Sequence, residues 1–350
     1  MNGQSPIVSE AGRTLIIGST GYIGRFVTEA SLESGGGTYV LVRSRLLSPS
    51  KASIIKAFQE KGCHIIYGSI NDQSLMEKVI RENHLEVVIS AVAGYAILDQ
   101  IPLIKAIKAA GTVKRFLPSE FGHDIDRAEP VEPGLTMYKE KRKIRRLIEE
   151  AGIPHTYICC NSIAAWPYPD NTHPGEVLPP MDCFQIYGDG SVKAYFVDGK
   201  DIGNLTIRAV KDDRTINKTV HFRPPKNLLN MNDLSSLWEA KIRRKLPRVT
   251  VSEDVLLNAA KEMRIPQSIV AAITHDIFIK GCQVNYNLDK ESDVDVCSLY
   301  PDATFRIMDD CFDDFLAMLV DNAKTVQKAA GKDNGIIMPD AKREPLPITA

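Results

Sequence analysis

The chain has 350 residues, 44% hydrophobic and 25% charged, with a formal net charge of −1. That is the make-up of a globular protein able to bury a sizeable core in one large domain or two modest ones. The balanced charge excludes the electrostatic footprint of a nucleic-acid or anionic-membrane binder, and no apolar run approaches the ~20 residues that span a bilayer.

The opening MNGQSPIVSEAGR has no apolar h-region, so residues 1–12 are read as a flexible N-terminus and not as a signal peptide. The first β-rich run, TLIIG from Thr14, leads into Gly18-Ser-Thr-Gly21-Tyr-Ile-Gly24 and then the helical pattern YIGRFVTEASLES. This is a G-x-x-G-x-x-G variant of the dinucleotide fingerprint. The first glycine permits a sharp turn, the second lets the backbone approach a pyrophosphate, and the third lets helix and strand pack closely. Taken alone it is also a plain glycine turn. Its place after a strand and before a helix selects the nucleotide reading, with Gly18, Thr20, Gly21, Tyr22, Ile23 and Gly24 as contacts.

The second run, TYVLVRS from Thr38, ends in Arg43 and Arg45, with Lys51 opening the next helix. An NAD site would place Asp or Glu here for the ribose hydroxyls, whereas a cationic pocket suits the 2′-phosphate of NADP. Arg43 and Lys51 are the expected contacts, and Arg45 fits a solvated position equally well. Further runs follow, HIIYGS from His64, VVISAVA from Val87, RFLPS from Arg115 and TYICCN from Thr156, separated by amphipathic stretches. The alternation argues an α/β fold, a Rossmann-type doubly wound parallel sheet, over residues 13–165.

Ligands in such sheets lie beyond the carboxyl ends of the strands. Candidates therefore come from SAVAGYA, PSEFGHD and the basic helix TMYKEKRKIRR. At 100° per residue, Tyr138, Lys141 and Arg145 share one strip beside the apolar Met137, Ile144 and Ile148. Lys139, Arg142, Lys143 and Arg146 point toward solvent. A lysine at the edge of the buried face, its pKa lowered by burial and neighbouring cations, can act as a general base. The spacing Tyr-x-x-Lys differs from the Tyr-x-x-x-Lys of ordinary short-chain dehydrogenases, so their tyrosine-acid mechanism does not transfer. His123, just past the fifth strand, is the second titratable candidate. His275 in ITHDIF reads either as substrate-facing or as a core histidine.

After Ser162 the alternation gives way to WPYPDNTHPGEVLPP, shorter strands and further helices. Residues 166–323 are read as a smaller mixed α/β substrate domain, some segments of which return to the first. Residues 324–350 are read as a loose tail. The seven scattered cysteines lack C-x-x-C or metal-ligand spacing, and the sequons at Asn204 and Asn217 lack a secretory signal. The chain is thus expected to be cytoplasmic, monomeric and free of metal.

The segments GSTGYIG, RFLPSEFG, MYKEKRKIRR and ICCNSIA resemble the plant isoflavone reductase-like enzymes of the atypical short-chain dehydrogenase/reductase superfamily. These include phenylcoumaran benzylic ether and pinoresinol–lariciresinol reductases. RFLPSEFGHD, ICCNSIAAWPY and ITHDIFIKGCQVN resemble its leucoanthocyanidin reductase subgroup, over roughly Arg13 to Asp321. The resemblance implies NADPH-dependent reduction of a flavan-3,4-diol to a 2,3-trans-flavan-3-ol. It implies Lys141 as the base, with His123 and Tyr138 as partners in protonating the leaving hydroxyl, and Arg145 among the cofactor contacts. A flat aromatic flavonoid would lie against Gly94 and Tyr95, Met137, Asn161 and Ser162, Trp166 and Phe184, with His275 nearby. For the aromatics, plain core packing is the competing reading. The alternatives are a sibling lignan, phenylcoumaran or isoflavone reductase, and a non-catalytic NADP-sensing regulator.

Overall fold

The structure is a computed structural model that describes residues 12–43 and 46–329, with side chains as far as residue 321. Arg45 lies outside the described residues. Strand β1 (Thr14–Ile17) leads into α1 (Tyr22–Glu33), followed by β2 (Thr38–Val42), α2 (Pro49–Glu60), β3 (His64–Tyr67) and α3 (Gln73–Glu82). Then come β4 (Val87–Ser90), α4 (Gln100–Ala110) and β5 (Arg115–Leu117). The five strands form one parallel sheet in the order β3-β2-β1-β4-β5. Strands β1, β2 and β4 are buried along their whole length because helices cover both faces, which is why they read as continuous apolar runs. Local chemistry sets the boundaries: the Asp72 carboxylate accepts from Leu75 N at 2.9 Å to start α3, and Gly111 at φ +69° ends α4.

The chain continues with α5 (Gly134–Glu150), β6 (Thr156–Cys159), β7 (Ser162–Ile163), β8 (Phe184–Tyr187), β9 (Ala194–Val197) and α6 (Gly199–Val210). Next are β10 (Lys218–His221), β11 (Leu228–Leu229), α7 (Met231–Ile242), β12 (Arg248–Val251), α8 (Glu253–Glu262) and α9 (Gln267–Phe278). Strand β13 (Asp293–Asp295), α10 (Val296–Leu299) and α11 (Met308–Ala329) complete the fold.

The expected domain boundary at residue 165 does not describe what packs with what. Strands β6, β10 and β13 form a parallel set, joined to β5 by the Phe116–His155 bridge and by Phe116 N donating to Pro154 O at 2.8 Å. The nucleotide-binding sheet is thus completed by strands from far along the chain. Helix α6 also returns: a Cβ on Gly203 would lie 2.4 Å from Phe26 O in α1, so only glycine permits that approach. Residues between these returns build the second layer, with β7-β9-β11 and β8-β12 as its small sheets. The return of such segments was expected in kind. Its extent was hidden because a four-residue strand carries no mark of the sheet it will join.

Helix α11 runs to Ala329, past residue 324 where a loose tail was expected. Phe312, Phe315 and Leu319 anchor its first turns in the second-layer core, and a helix so nucleated propagates beyond its apolar stripe. Among the described residues no helix is long and apolar enough to cross a membrane.

Candidate active site

The glycine loop joins β1 to α1 at the point where sheet order reverses, between β1 and β4. Gly18 has φ +83°, and a Cβ there would meet Ala91 O at 2.3 Å. A Cβ on Gly24 would meet Gly18 O at 2.1 Å. Gly21 is exposed, and its N–H donates to Gly18 O at 2.9 Å. The first α-helical bond is Arg25 N to Gly21 O, which leaves the N–H groups of Tyr22, Ile23 and Gly24 aimed out of the helix start. A cradle that side chains would fill, floored by unpaired donors, fits a pyrophosphate. Ile23 packs its side chain into the core and Tyr22 stacks edge-on against Phe26, their centroids 5.1 Å apart. Both therefore offer this cradle their backbone. Thr20 sits half-buried in the loop, and Arg43 and Lys51 are exposed at the β2 end and the α2 start.

The loop after β5 is wired into α5. Lys141 Nζ donates to the Glu120 carbonyl at 2.7 Å. The lysine retains some exposure as a residue. Burial of its ammonium nonetheless pulls its pKa down, Glu120 pushes it back up, and Arg145 lowers it again. Tyr138, on the same strip, is 3% exposed and its hydroxyl lies 2.7 Å from His123 Nε2. Burial, with Cys282 and Asp276 adding to it, pushes the phenol well above its ordinary value, so it stays a hydroxyl. Phe121 at φ +38° and Asn161 at φ +61° hold the loop and its neighbour in the left-handed region. Asn161 N donates to Gly122 O at 3.0 Å and its Nδ2 to Phe222 O at 2.8 Å, fastening the two loops together.

Lys141, His123 and Tyr138 are thus gathered around one loop. Gly94 and Met137 also meet, since a Cβ on Gly94 would lie 2.8 Å from Met137 Sδ. Tyr95 stands beside them, 75% exposed. Ser162 Oγ accepts from Gln283 Nε2 at 2.8 Å.

Two expectations, for Arg145 and Arg142, need correction, and two open readings fall to core packing. Arg145, expected at the cofactor, is 2% exposed, and its guanidinium is taken by Glu120 (2.8 Å), Asp124 (2.9 Å) and Asp126 (3.0 Å), leaving none for a phosphate. Trp166 and Phe184 follow the core-packing alternative: they are buried and stacked 5.1 Å apart in the second-layer core. His275 is a buried histidine whose Nε2 bonds Glu253 Oε1 at 2.8 Å, away from His123. Arg142, expected in solvent, reaches back to donate to the carbonyls of Ile125 (2.7 Å) and Ala128, because its long stem spans the distance its helical angle does not.

Sequence reasoning missed two residues. Glu120 supplies the carbonyl that holds Lys141 and the carboxylate that holds Arg145. Asp276, from α9, places its Oδ2 3.7 Å from His123 Nε2. Glu120 stands beside His123 in PSEFGHD and was within reach of sequence reading. Asp276 had no signal, being brought in from more than a hundred residues away.

Known proteins share this sequence and fold. Residues 10–311 match the model of the NmrA-like family. The leucoanthocyanidin reductase of Desmodium uncinatum is 57% identical over 342 residues, 98% of this chain and 88% of that protein. The phenylcoumaran benzylic ether reductase TP7 of Nicotiana tabacum is 42% identical over 310 residues, 88% of this chain and all of that protein. The structure of the binary complex of leucoanthocyanidin reductase with NADPH from Vitis vinifera superposes with a TM-score of 0.85 at 61% identity, covering 87% of this chain and 100% of that one. The chain belongs to the NmrA-like family, in the isoflavone reductase-like group that holds the leucoanthocyanidin and phenylcoumaran benzylic ether reductases.

Proposed function

We propose that this protein is an NADPH-dependent oxidoreductase of the leucoanthocyanidin reductase type, converting a flavan-3,4-diol to a flavan-3-ol. The observation that carries the reading is the Lys141 amine and the Tyr138 hydroxyl of α5 both bonded to the loop after β5, the lysine to the Glu120 carbonyl and the tyrosine to His123. A saturated carbon bearing a hydroxyl is a poor hydride acceptor, so the 4-hydroxyl must leave first. Lys141, its pKa lowered chiefly by burial, removes the proton of the phenolic 7-hydroxyl. The freed electron pair moves through the ring to the position para to that oxygen and breaks the C4–O bond. The proton needed by the departing oxygen comes from His123, handed on through the Tyr138 hydroxyl 2.7 Å away, so that water leaves. The substrate is now a quinone methide, electrophilic at C4. NADPH, when bound, supplies the hydride this carbon requires. Lys141 then returns its proton to the 7-oxygen, and no metal takes part.

The sheet and glycine cradle would hold the pyrophosphate, and Arg43 the 2′-phosphate. Arg43→Gln is expected to raise KM for NADPH by roughly tenfold, the lower end of a charged hydrogen bond at an exposed position, while leaving KM for NADH nearly unchanged. Equal effects on both cofactors would remove Arg43 from that role. Around the substrate, Gly94, Tyr95 and Met137 form one wall. Asn161 Oδ1, buried and without a partner among the described residues, is an acceptor for a substrate hydroxyl.

The test offers leucocyanidin, a phenylcoumaran and pinoresinol separately to the purified protein with NADPH. Catechin formed from leucocyanidin alone supports the reading. Turnover of the lignan or phenylcoumaran instead moves the assignment to a sibling reductase, and NADPH binding without any turnover points to a sensor. The expected setting is cytoplasmic, with the protein monomeric.

A further inference from the structure

Asp276 has no part in the proton transfers above, yet its surroundings are unusual. Its Oδ2 is buried without a hydrogen-bond partner among the described residues, and it lies 3.7 Å from His123 Nε2. The aspartate is 3% exposed and the histidine 4%. A buried carboxylate oxygen left without a donor is costly, and such groups are normally paired. This one stands beside the imidazole that must carry a proton for the leaving hydroxyl to depart.

The groups facing that imidazole come from several elements. Helix α5 supplies Tyr138, on whose phenol Glu120 of the β5 loop and Cys159 of strand β6 act in turn. Helix α9 supplies Asp276, and the turn after it Cys282, whose Sγ lies within 4.8 Å of both the His123 and Asp276 ligand atoms. Burial and Asp276 push the Cys282 thiol well up, so it brings no competing charge. Asp276 is the carboxylate recorded within 4 Å of the ring among the described residues. The turn is held in place by Cys282 N donating to Asp276 O at 3.1 Å. One residue earlier on α9, His275 faces the opposite way, to Glu253.

We infer that Asp276 is a positioning residue for the proton donor, holding the His123 imidazolium oriented toward Tyr138 and stabilising its charge until the 4-hydroxyl leaves. The inference rests on the flavandiol reading for its place in the reaction, though not for the coupling itself.

The experiment compares the full-length parent with Asp276→Asn. In the variant, kcat is expected to fall by roughly 10- to 1,000-fold with both KM values nearly unchanged. The high-pH limb of kcat/KM, where the acid loses its proton, moves toward lower pH. Asp276→Glu recovers part of kcat. A folded Asn variant with parental kcat and pH profile overturns the inference. If the Asn protein fails to bind NADPH, Asp276→Ser carries the same two readouts. Failure of the flavandiol reading looks different, since the parent itself then turns nothing over. The His123 ring signals, followed by NMR across pH in parent and variant, still decide the coupling in that case: a midpoint that moves supports it, and one that does not overturns it.

Discussion

The Lys141→Met protein is expected to fold and bind NADPH like the parent while kcat falls by roughly 10²–10⁴-fold, the usual contribution of a general base. Methionine keeps the stem and its packing, and removes the amine that donates to Glu120 O. Stability should respond in a way that identifies the cause. The folded-state pKa of Lys141 lies below the ordinary lysine value, chiefly through burial. Between the two values the unfolded chain holds a proton that the folded chain has released, so the parent gains stability as pH rises through that window. Below it, the folded parent carries the full cost of a buried cation. The Met variant carries none, so its melting temperature relative to the parent should be highest below that window and decline as pH rises through it. Melts at two pH values, with single-turnover kinetics, check both halves. A variant that keeps more than a tenth of parental kcat would place the base elsewhere.

Arg145→Met should cost about 3–5 kcal/mol of stability, because it strands the buried carboxylates of Glu120 and Asp124. That corresponds to a fall in melting temperature of roughly 10 °C for a chain of this size. Activity should change too, through Lys141. Burial is the chief influence holding the lysine pKa down, Glu120 raises it and Arg145 lowers it, so removing the guanidinium leaves burial opposed by Glu120 and the value rises. The low-pH limb of kcat should then move to higher pH. Adding Glu120→Gln removes one stranded charge, and the double variant should regain part of both losses. A single variant as stable as the parent would show that the three-carboxylate cluster contributes nothing.

These two residues also show what the sequence made legible. Both lie on one helical strip, and the strip could be drawn from spacing alone. Spacing could not tell which cation would meet the substrate side and which would be consumed by Glu120, Asp124 and Asp126, because those acids arrive from a loop. The glycine cradle was readable because its constraints are local: Gly18 and Gly24 clash with backbone a few residues away or across the β1–β4 junction. Trp166 and Phe184 were not, since an aromatic side chain carries the same pattern in a core and at a flat ligand. Asp276 was invisible for a third reason: its importance lies in an empty hydrogen-bond valence, which only the assembled packing creates.

The completion of the parallel sheet by β10 and β13 bears on how the protein is made. During synthesis, β1 to β6 emerge early and can find one another by short crossovers. Strand β6 then waits some sixty residues for β10, and β10 waits about seventy more for β13. Until Asp295 has left the ribosome, the growing chain presents an unpaired parallel edge, the kind of surface that recruits other strands. Completion of the sheet, though not the pairing of β1 to β5, is therefore tied to near-complete translation, and its long-range pairings are of the slower-forming kind.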